Sequence, residues 1–175
     1  MWLHVQFNRV FKSILAITLL VVAACSSEPA HRLVGEKFPI FDVETLDGNP
    51  ESSMPSIIDK PILFNVWATW CAPCVKELPA LESLAKQGYF RVIALSTDAD
   101  ATKVQQFVNK HDLKSIQVLF DSFGRQSRAQ LDAQGLPVSF LIDKNGVVKD
   151  VFLGERDWMS EVLQARMKKA VGLSY

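Results

Sequence analysis

Cys71 and Cys74 stand three residues apart where an apolar run ends and helical spacing begins. Ahead of them, Ile62-Leu63-Phe64-Asn65-Val66-Trp67-Ala68 is apolar except at Asn65 and reads as a strand buried within a sheet. Behind them, Leu78, Leu81, Leu84 and Ala85 recur at the intervals of one helix face. A strand that passes directly into a helix places both thiols on the helix's first turn. Unpaired backbone N–H groups and the helix dipole favour a thiolate there. A thiolate beside a second thiol is the requirement for disulfide exchange.

The remaining cysteine, Cys25, lies in a different context, so Cys71 and Cys74 form a lone pair. A bridge across so short a loop removes little unfolded-state entropy, which makes the pair a weak staple. Metal binding by the same two sulfurs needs further ligands at suitable spacing. His4, His31 and His111 are the chain's histidines, and none is placed to complete such a site. A redox pair is therefore expected, with no metal and no cofactor. Apolar residues make up 49% of the chain and charged residues 22%, a balance that suits a packed domain rather than a disordered one.

Residues 1–24 read as a leader rather than as part of the fold. Arg9 and Lys12 supply a basic start, and Ile14 to Ala24 form an apolar stretch too short to span a bilayer as an ordinary helix. Val22-Ala23-Ala24-Cys25 resembles a bacterial lipobox, which implies lipidation of Cys25. Ordinary cleavage nearby and an uncleaved short anchor are the alternatives. Ser26, rather than Asp, follows Cys25 and resembles an outer-membrane sorting signal. Residues 25–33 are expected to be the lipidated cysteine and its tether, and 34–175 the folded domain. Removing Arg9 and Lys12 from 19 basic residues leaves 17 against 19 acidic ones, a net charge of about −2. Nothing in that balance suggests a nucleic-acid partner.

Along the domain, Phe38 to Val43 alternates like a strand and runs into a turn at Leu46-Asp47-Gly48-Asn49. Glu51 to Lys60 reads as loop. A helix over 72–87 with an internal Pro79 ends at Gly88, and Arg91 to Ser96 forms a second buried strand. Asp98 and Asp100 are candidate caps for a helix bearing Val104, Phe107 and Val108, and Ile116 to Phe120 is a further strand. A short helix over 123–132 precedes Gly135. Val138–Ile142 and Val147–Phe152 are then strands joined through Asn145-Gly146, a strong hairpin signal. Asp157 is expected to cap a terminal helix with Trp158, Val162 and Ala165 facing inward. The alternation gives a single α/β domain.

This order of elements, with Asn65-Val66-Trp67-Ala68-Thr69-Trp70-Cys71-Ala72-Pro73-Cys74, then Glu77, Pro79 and Gly135-Leu136-Pro137, resembles the thioredoxin superfamily. More narrowly it is similar to TlpA/ResA/DsbE (CcmG)-like thiol-disulfide oxidoreductases. The resemblance covers residues 34 to about 170. It implies a thioredoxin fold with an N-terminal β extension and a helix-strand insert near 99–120.

The resemblance also implies roles. Cys71 is the exposed nucleophile and Cys74 the more buried sulfur that resolves the mixed disulfide. Glu77 lies three residues beyond Cys74 and is either a proton acceptor for it or a first-turn carboxylate that complements the dipole. The family pattern favours the first. Asn65 stands where ordinary thioredoxin carries a titrating Asp, which leaves proton handling to Glu77. Pro137 matches the cis-proline of the fold, and the backbone of Leu136 beside it is placed to bind a substrate segment. Trp70 packs beside the thiols.

Family members act as extracytoplasmic reductants for cytochrome c apoproteins or metal-site assembly proteins, and a membrane electron donor re-reduces them. The expected partners are thus a disulfide-bearing exported protein, that donor, and the membrane itself through the lipid; a monomer is expected. Gly135-Leu136-Pro137-Val138-Ser139 departs from the Gly-x-Pro-Glu-Thr typical of the cytochrome-maturation members. That points to a general or pathway-specific reductase. A peroxiredoxin-like peroxidase would need a proline that Thr69-Trp70-Cys71 lacks, and a copper carrier would need a third soft ligand.

Overall fold

The computed structural model describes residues 31–173; the leader, Cys25 and most of the tether lie outside the described residues. In chain order the elements are β1 (Asp42–Glu44), β2 (Pro50–Ser52), β3 (Ile62–Trp67), α1 (Ala72–Lys86), β4 (Arg91–Ser96), α2 (Ala101–Lys110), β5 (Gln117–Phe120), α3 (Arg125–Leu131), β6 (Val138–Ile142), β7 (Val148–Leu153) and α4 (Glu161–Ala170).

Every residue of β3 is buried, as a strand with neighbours on both edges and layers on both faces must be. It pairs in parallel with β4, the middle strand, and antiparallel with β6, inside a seven-stranded sheet ordered β2-β1-β5-β4-β3-β6-β7. Its period-two alternation divides the core. Leu63 and Trp67 face a cluster with Leu78, Leu81 and Leu84 of α1, Val104 of α2 and Met167 of α4. Ile62, Phe64 and Val66 face the other side, against Phe38, Phe41, Met54 and Leu131. This is the thioredoxin fold expected from the resemblance. The insert is α2 with β5, and β5 joins the β1–β2 extension to the parallel strands.

Three expectations shift in detail. Phe38 and Phe41 do not lie within a ladder strand, which begins only at Asp42. Pro39 has no N–H to donate, and both phenyl rings turn into the second core cluster instead. Part of the expected loop after Asn49 is strand: Pro50–Ser52 folds back on β1 through Thr45 N–H to Asn49 O at 2.9 Å, with Gly48 at φ +84°. Pro50 fits because β2 is an edge strand.

The terminal helix starts later than its sequence suggests. Ser160, not Asp157, is the cap, and Asp157 Oδ1 accepts the N–H of Met159 in the preceding turn. Val162 is 82% exposed, and Gln164 and Met167 are the residues α4 buries. Trp158 is buried, but ahead of the helix rather than on it.

Glu82 ties α1 to the insert. Its buried carboxylate accepts the N–H groups of Ser115 (3.0 Å) and Ile116 (3.3 Å) and pairs with Lys86 at 3.3 Å. Burial alone would raise this carboxyl, but the Ser115 hydrogen bonds and Lys86 outweigh it and hold the pKa below the usual carboxylate value of 4.5. A depressed folded-state pKa contributes stability above the unfolded value and loses it as the pH falls through the folded one. Glu82→Ala should therefore cost about 1–3 kcal/mol in urea unfolding at neutral pH. The gap to the unaltered protein should narrow as the pH drops below the carboxylate range.

Candidate active site

Cys71 is the N-cap of α1, in extended conformation (φ −88°, ψ 101°), and Pro73 occupies the first turn where a missing N–H costs nothing. The two sulfurs are joined, S–S 2.07 Å, and the N–H of Cys74 points at Cys71 Sγ from 3.4 Å. A thiolate on Cys71 would receive that donor and the positive end of the helix. The first turn of α1 holds no acidic residue to oppose it. Cys71, expected to be exposed, is nearly covered at 7% exposure because Trp70 and Leu136 wall the cavity it lines; Cys74 is fully buried, so a partner still meets Cys71 first.

The loop that presents Cys71 is clamped from β4's end. Asp98 is buried and does not cap α2; Asp100 does, accepting Thr102 N–H at 2.9 Å. Asp98 instead accepts the Thr69 N–H (2.9 Å), the Thr69 hydroxyl (2.6 Å) and the Ser96 hydroxyl (2.8 Å). Its own carbonyl accepts the N–H of Phe123, whose φ is +59°. The short helical segment after β5 is accordingly a 3-10 turn, Ser122–Gly124, running into α3. Asp121 caps α3 through the N–H groups of Gln126 and Ser127.

Glu77 is 3% exposed, one turn beyond Cys74 on α1. Oε1 accepts from Asn65 Nδ2 at 2.9 Å; Oε2 accepts from Arg156 N at 3.0 Å and Trp158 Nε1 at 3.0 Å. Asn65 Nδ2 also donates to Ser139 Oγ on β6 at 2.9 Å. Burial pushes the Glu77 carboxyl above its ordinary value, and the nearby Glu155 carboxylate adds to the rise. The three N–H donors pull the other way without cancelling it. The first turn of α1 holds no acidic residue, so Glu77 is not a first-turn carboxylate complementing the dipole; a buried carboxyl raised in this way is of the kind found at proton-transfer sites.

Trp70 is 68% exposed on the rim and lines, with Cys71, Pro73, Arg128 and Leu136, a cavity of about 370 Å³. The Leu136–Pro137 bond is cis, and both residues line an adjoining cavity of about 350 Å³ with Leu153 and His31. Leu136 is common to the two. Among the described residues neither its N–H nor its C=O meets a backbone partner, while Pro137 O accepts from Gly154 N at 2.8 Å. Trp70, Cys71, Leu136 and Pro137 thus share one surface, with Cys74 and Glu77 behind it; Cys25 lies outside the described residues. Among those residues no three His, Cys, Asp or Glu side chains cluster as a metal site.

Trp158, Arg156, Ser139 and Asp98 were not marked as site residues by the sequence. For Asp98 a signal exists, since a polar residue just past a buried strand lies at the sheet's carboxyl end. For Trp158 none is visible, because its partner is 81 residues earlier.

A disulfide pair at a helix N-terminus, Cys71 on the wall of a surface cavity and Cys74 covered one turn from a buried carboxylate, defines a thiol-disulfide oxidoreductase of the thioredoxin fold. Residues 33–166 match the Redoxin family model, and the chain belongs to that family. It is 33% identical to the thiol:disulfide interchange protein DsbE of Yersinia pestis, over 90% of this chain and 92% of that one. It is 34% identical to the thiol-disulfide oxidoreductase ResA of Bacillus thuringiensis (strain Al Hakam), over 78% of each. A solved thiol:disulfide interchange protein of the thioredoxin family from Chlorobium tepidum TLS superposes with a TM-score of 0.62 at 27% identity. The match covers 77% of this chain and 94% of that one.

The Asp98 clamp makes a specific prediction. Asp98→Ala frees Thr69 and should slow attack of the reduced protein on a peptide disulfide about tenfold, through misplacement of Cys71. Stopped-flow kinetics on the reduced protein checks it; an unchanged rate in a folded variant would remove Asp98 from the site.

Proposed function

We propose that this protein is a reductant for disulfides of exported proteins, held at a membrane by lipid on Cys25. The observation that carries the reading is the asymmetry of the pair. Cys71 opens onto the surface lined by Trp70 and Leu136, and Cys74 lies beneath it with the Glu77 carboxylate one turn away. That arrangement suits a dithiol that attacks with one sulfur and releases product with the other.

Cys71 thiolate attacks the partner's disulfide, and one partner sulfur leaves as a thiolate. Cys74 passes its proton to Glu77 and attacks Cys71; the Cys71–Cys74 bond forms as the bond from Cys71 to the partner breaks. The partner gains two electrons and the dithiol loses them. The backbone of Leu136, without a backbone partner among the described residues and beside cis-Pro137, receives the partner's segment as an added strand. A membrane electron donor restores the dithiol. Relatives named DsbE and ResA support this class of partner, and the residues after Pro137 favour a general or pathway-specific reductase over a dedicated apocytochrome one. The domain works as a monomer, residues 34–175, on the tether 25–33 after removal of 1–24. Among the described residues no helix is long and apolar enough to cross a membrane, so attachment falls to the leader or to Cys25, in the outer membrane by the Ser26 signal.

Three experiments test the reading. Cys74→Ser should accumulate a mixed disulfide with a peptide disulfide and Cys71→Ser none, while thiol alkylation in intact cells should find Cys71 and Cys74 reduced. A pair that is fully oxidised at steady state would reverse the proposed direction. For the anchor, Cys25→Ser should move the protein from the membrane to the soluble fraction; unchanged membrane association would point to an uncleaved leader.

A further inference from the structure

Trp158 is among the largest fully buried side chains, and it packs edge-to-face on Phe152 at 5.4 Å between centroids. Packing explains the ring but not the aim of its one polar atom, since Phe would supply apolar contact without a donor. Nε1 meets Oε2 of Glu77 at 3.0 Å, the same oxygen that accepts Arg156 N–H. The residue is itself held from α4, where Gln164 Nε2 donates to its carbonyl at 2.9 Å. The segment around it is stitched to both halves of the site. Gly154 N–H donates to Pro137 O at 2.8 Å, and Glu155 pairs with Lys76 of α1 at 2.6 Å.

We propose that Trp158 is a positioning residue of the exchange reaction: with the Arg156 N–H it fixes Oε2 of Glu77 and orients that carboxylate to take the proton of Cys74. The inference rests on the role given to Glu77 above and adds what tunes it.

Burial favours the protonated carboxyl, and each N–H aimed at the anion opposes burial. The other groups facing Glu77 leave that task to few donors. Asn65 supplies one N–H from β3, and Ser139 and Gln164 are neutral. The Arg156 guanidinium is turned away, with Nη1 on the Glu155 carbonyl at 2.8 Å and the Gly154 carbonyl at 3.5 Å. The Lys76 charge is taken up by Glu155, itself a carboxylate that disfavours a second charge nearby; Arg166 pairs with Asp150. Cys74 is the titratable group on the same helix face, one turn earlier.

Removing the indole donor therefore moves the Glu77 pKa upward. Below that pKa Glu77 is protonated and cannot accept from Cys74, so the resolving step slows. The slow region then reaches to higher pH.

The test is the pH dependence of resolution in the full chain. Reduced protein is mixed with a peptide disulfide in a single turnover, and decay of the mixed disulfide on Cys71 is followed from acid to neutral pH. Glu77→Gln should abolish the acidic limb, and Trp158→Phe should move it up by about one pH unit, a tenfold change in proton affinity. A folded Trp158→Phe protein with an unmoved limb, while Glu77→Gln abolishes it, overturns the inference and leaves the role of Glu77 standing. A limb that survives Glu77→Gln overturns both.

Should Trp158→Phe fail to fold, the indole N–H resonance of Trp158 in the unaltered protein decides. It should shift with pH at the midpoint of the kinetic limb and stop doing so in Glu77→Gln. A resonance that ignores pH sinks the inference.

Discussion

A carboxylate taken out of water is costly unless its oxygens are met, and Glu77 is met from three parts of the chain at once. Asn65 reaches it from β3, Arg156 from the turn after β7, and Trp158 from the approach to α4. The hub fixes where α1 lies over the sheet and hence where its N-terminus presents Cys71. It also joins the redox helix to the segment that contacts Pro137. Structural and chemical requirements coincide in one side chain: the donors that make burial tolerable also decide how readily it takes a proton.

The sheet order explains why the reacting groups collect at one end. β3, β4 and β5 run parallel, so the residues after each emerge on the same edge. After β3 come Thr69 to Cys71, after β4 comes Asp98, and after β5 comes Asp121 with the 3-10 turn. The antiparallel β6 begins at that edge, which brings cis-Pro137 beside them. Two buried aspartates then convert loose ends into fixed geometry, Asp98 by holding Thr69 and Asp121 by capping α3. The insert of α2 and β5 supplies part of this support, and Glu82 secures it to the redox helix.

Much of the fold was legible because its strongest signals are local. The apolar run of β3, the leucine spacing of α1 and the Asn145-Gly146 turn each follow from neighbours in the chain. The errors arose where distant contacts overrode local pattern. Phe38 and Phe41 alternate like strand residues but serve the second core layer. Of the two candidate caps Asp98 and Asp100 only Asp100 serves, and Asp157 gives way to Ser160. Val162, read as inward, is on the solvent side because α4, capped by Ser160, packs through Gln164 and Met167.

By itself the sequence determined the identity and order of the chemistry. Two thiols stand on the first turn of a helix, a carboxylate follows one turn later, and a proline lies ahead of a returning strand. These depend on spacing along the chain, which needs no knowledge of what packs against what. Only the tertiary structure decided the surroundings: which sulfur is covered, which donors meet Glu77, and which carboxylate holds the loop. Those outcomes depend on contacts across the sheet between residues tens of positions apart, where burial multiplies the cost of each unmet polar group. No local pattern encodes that choice of partner.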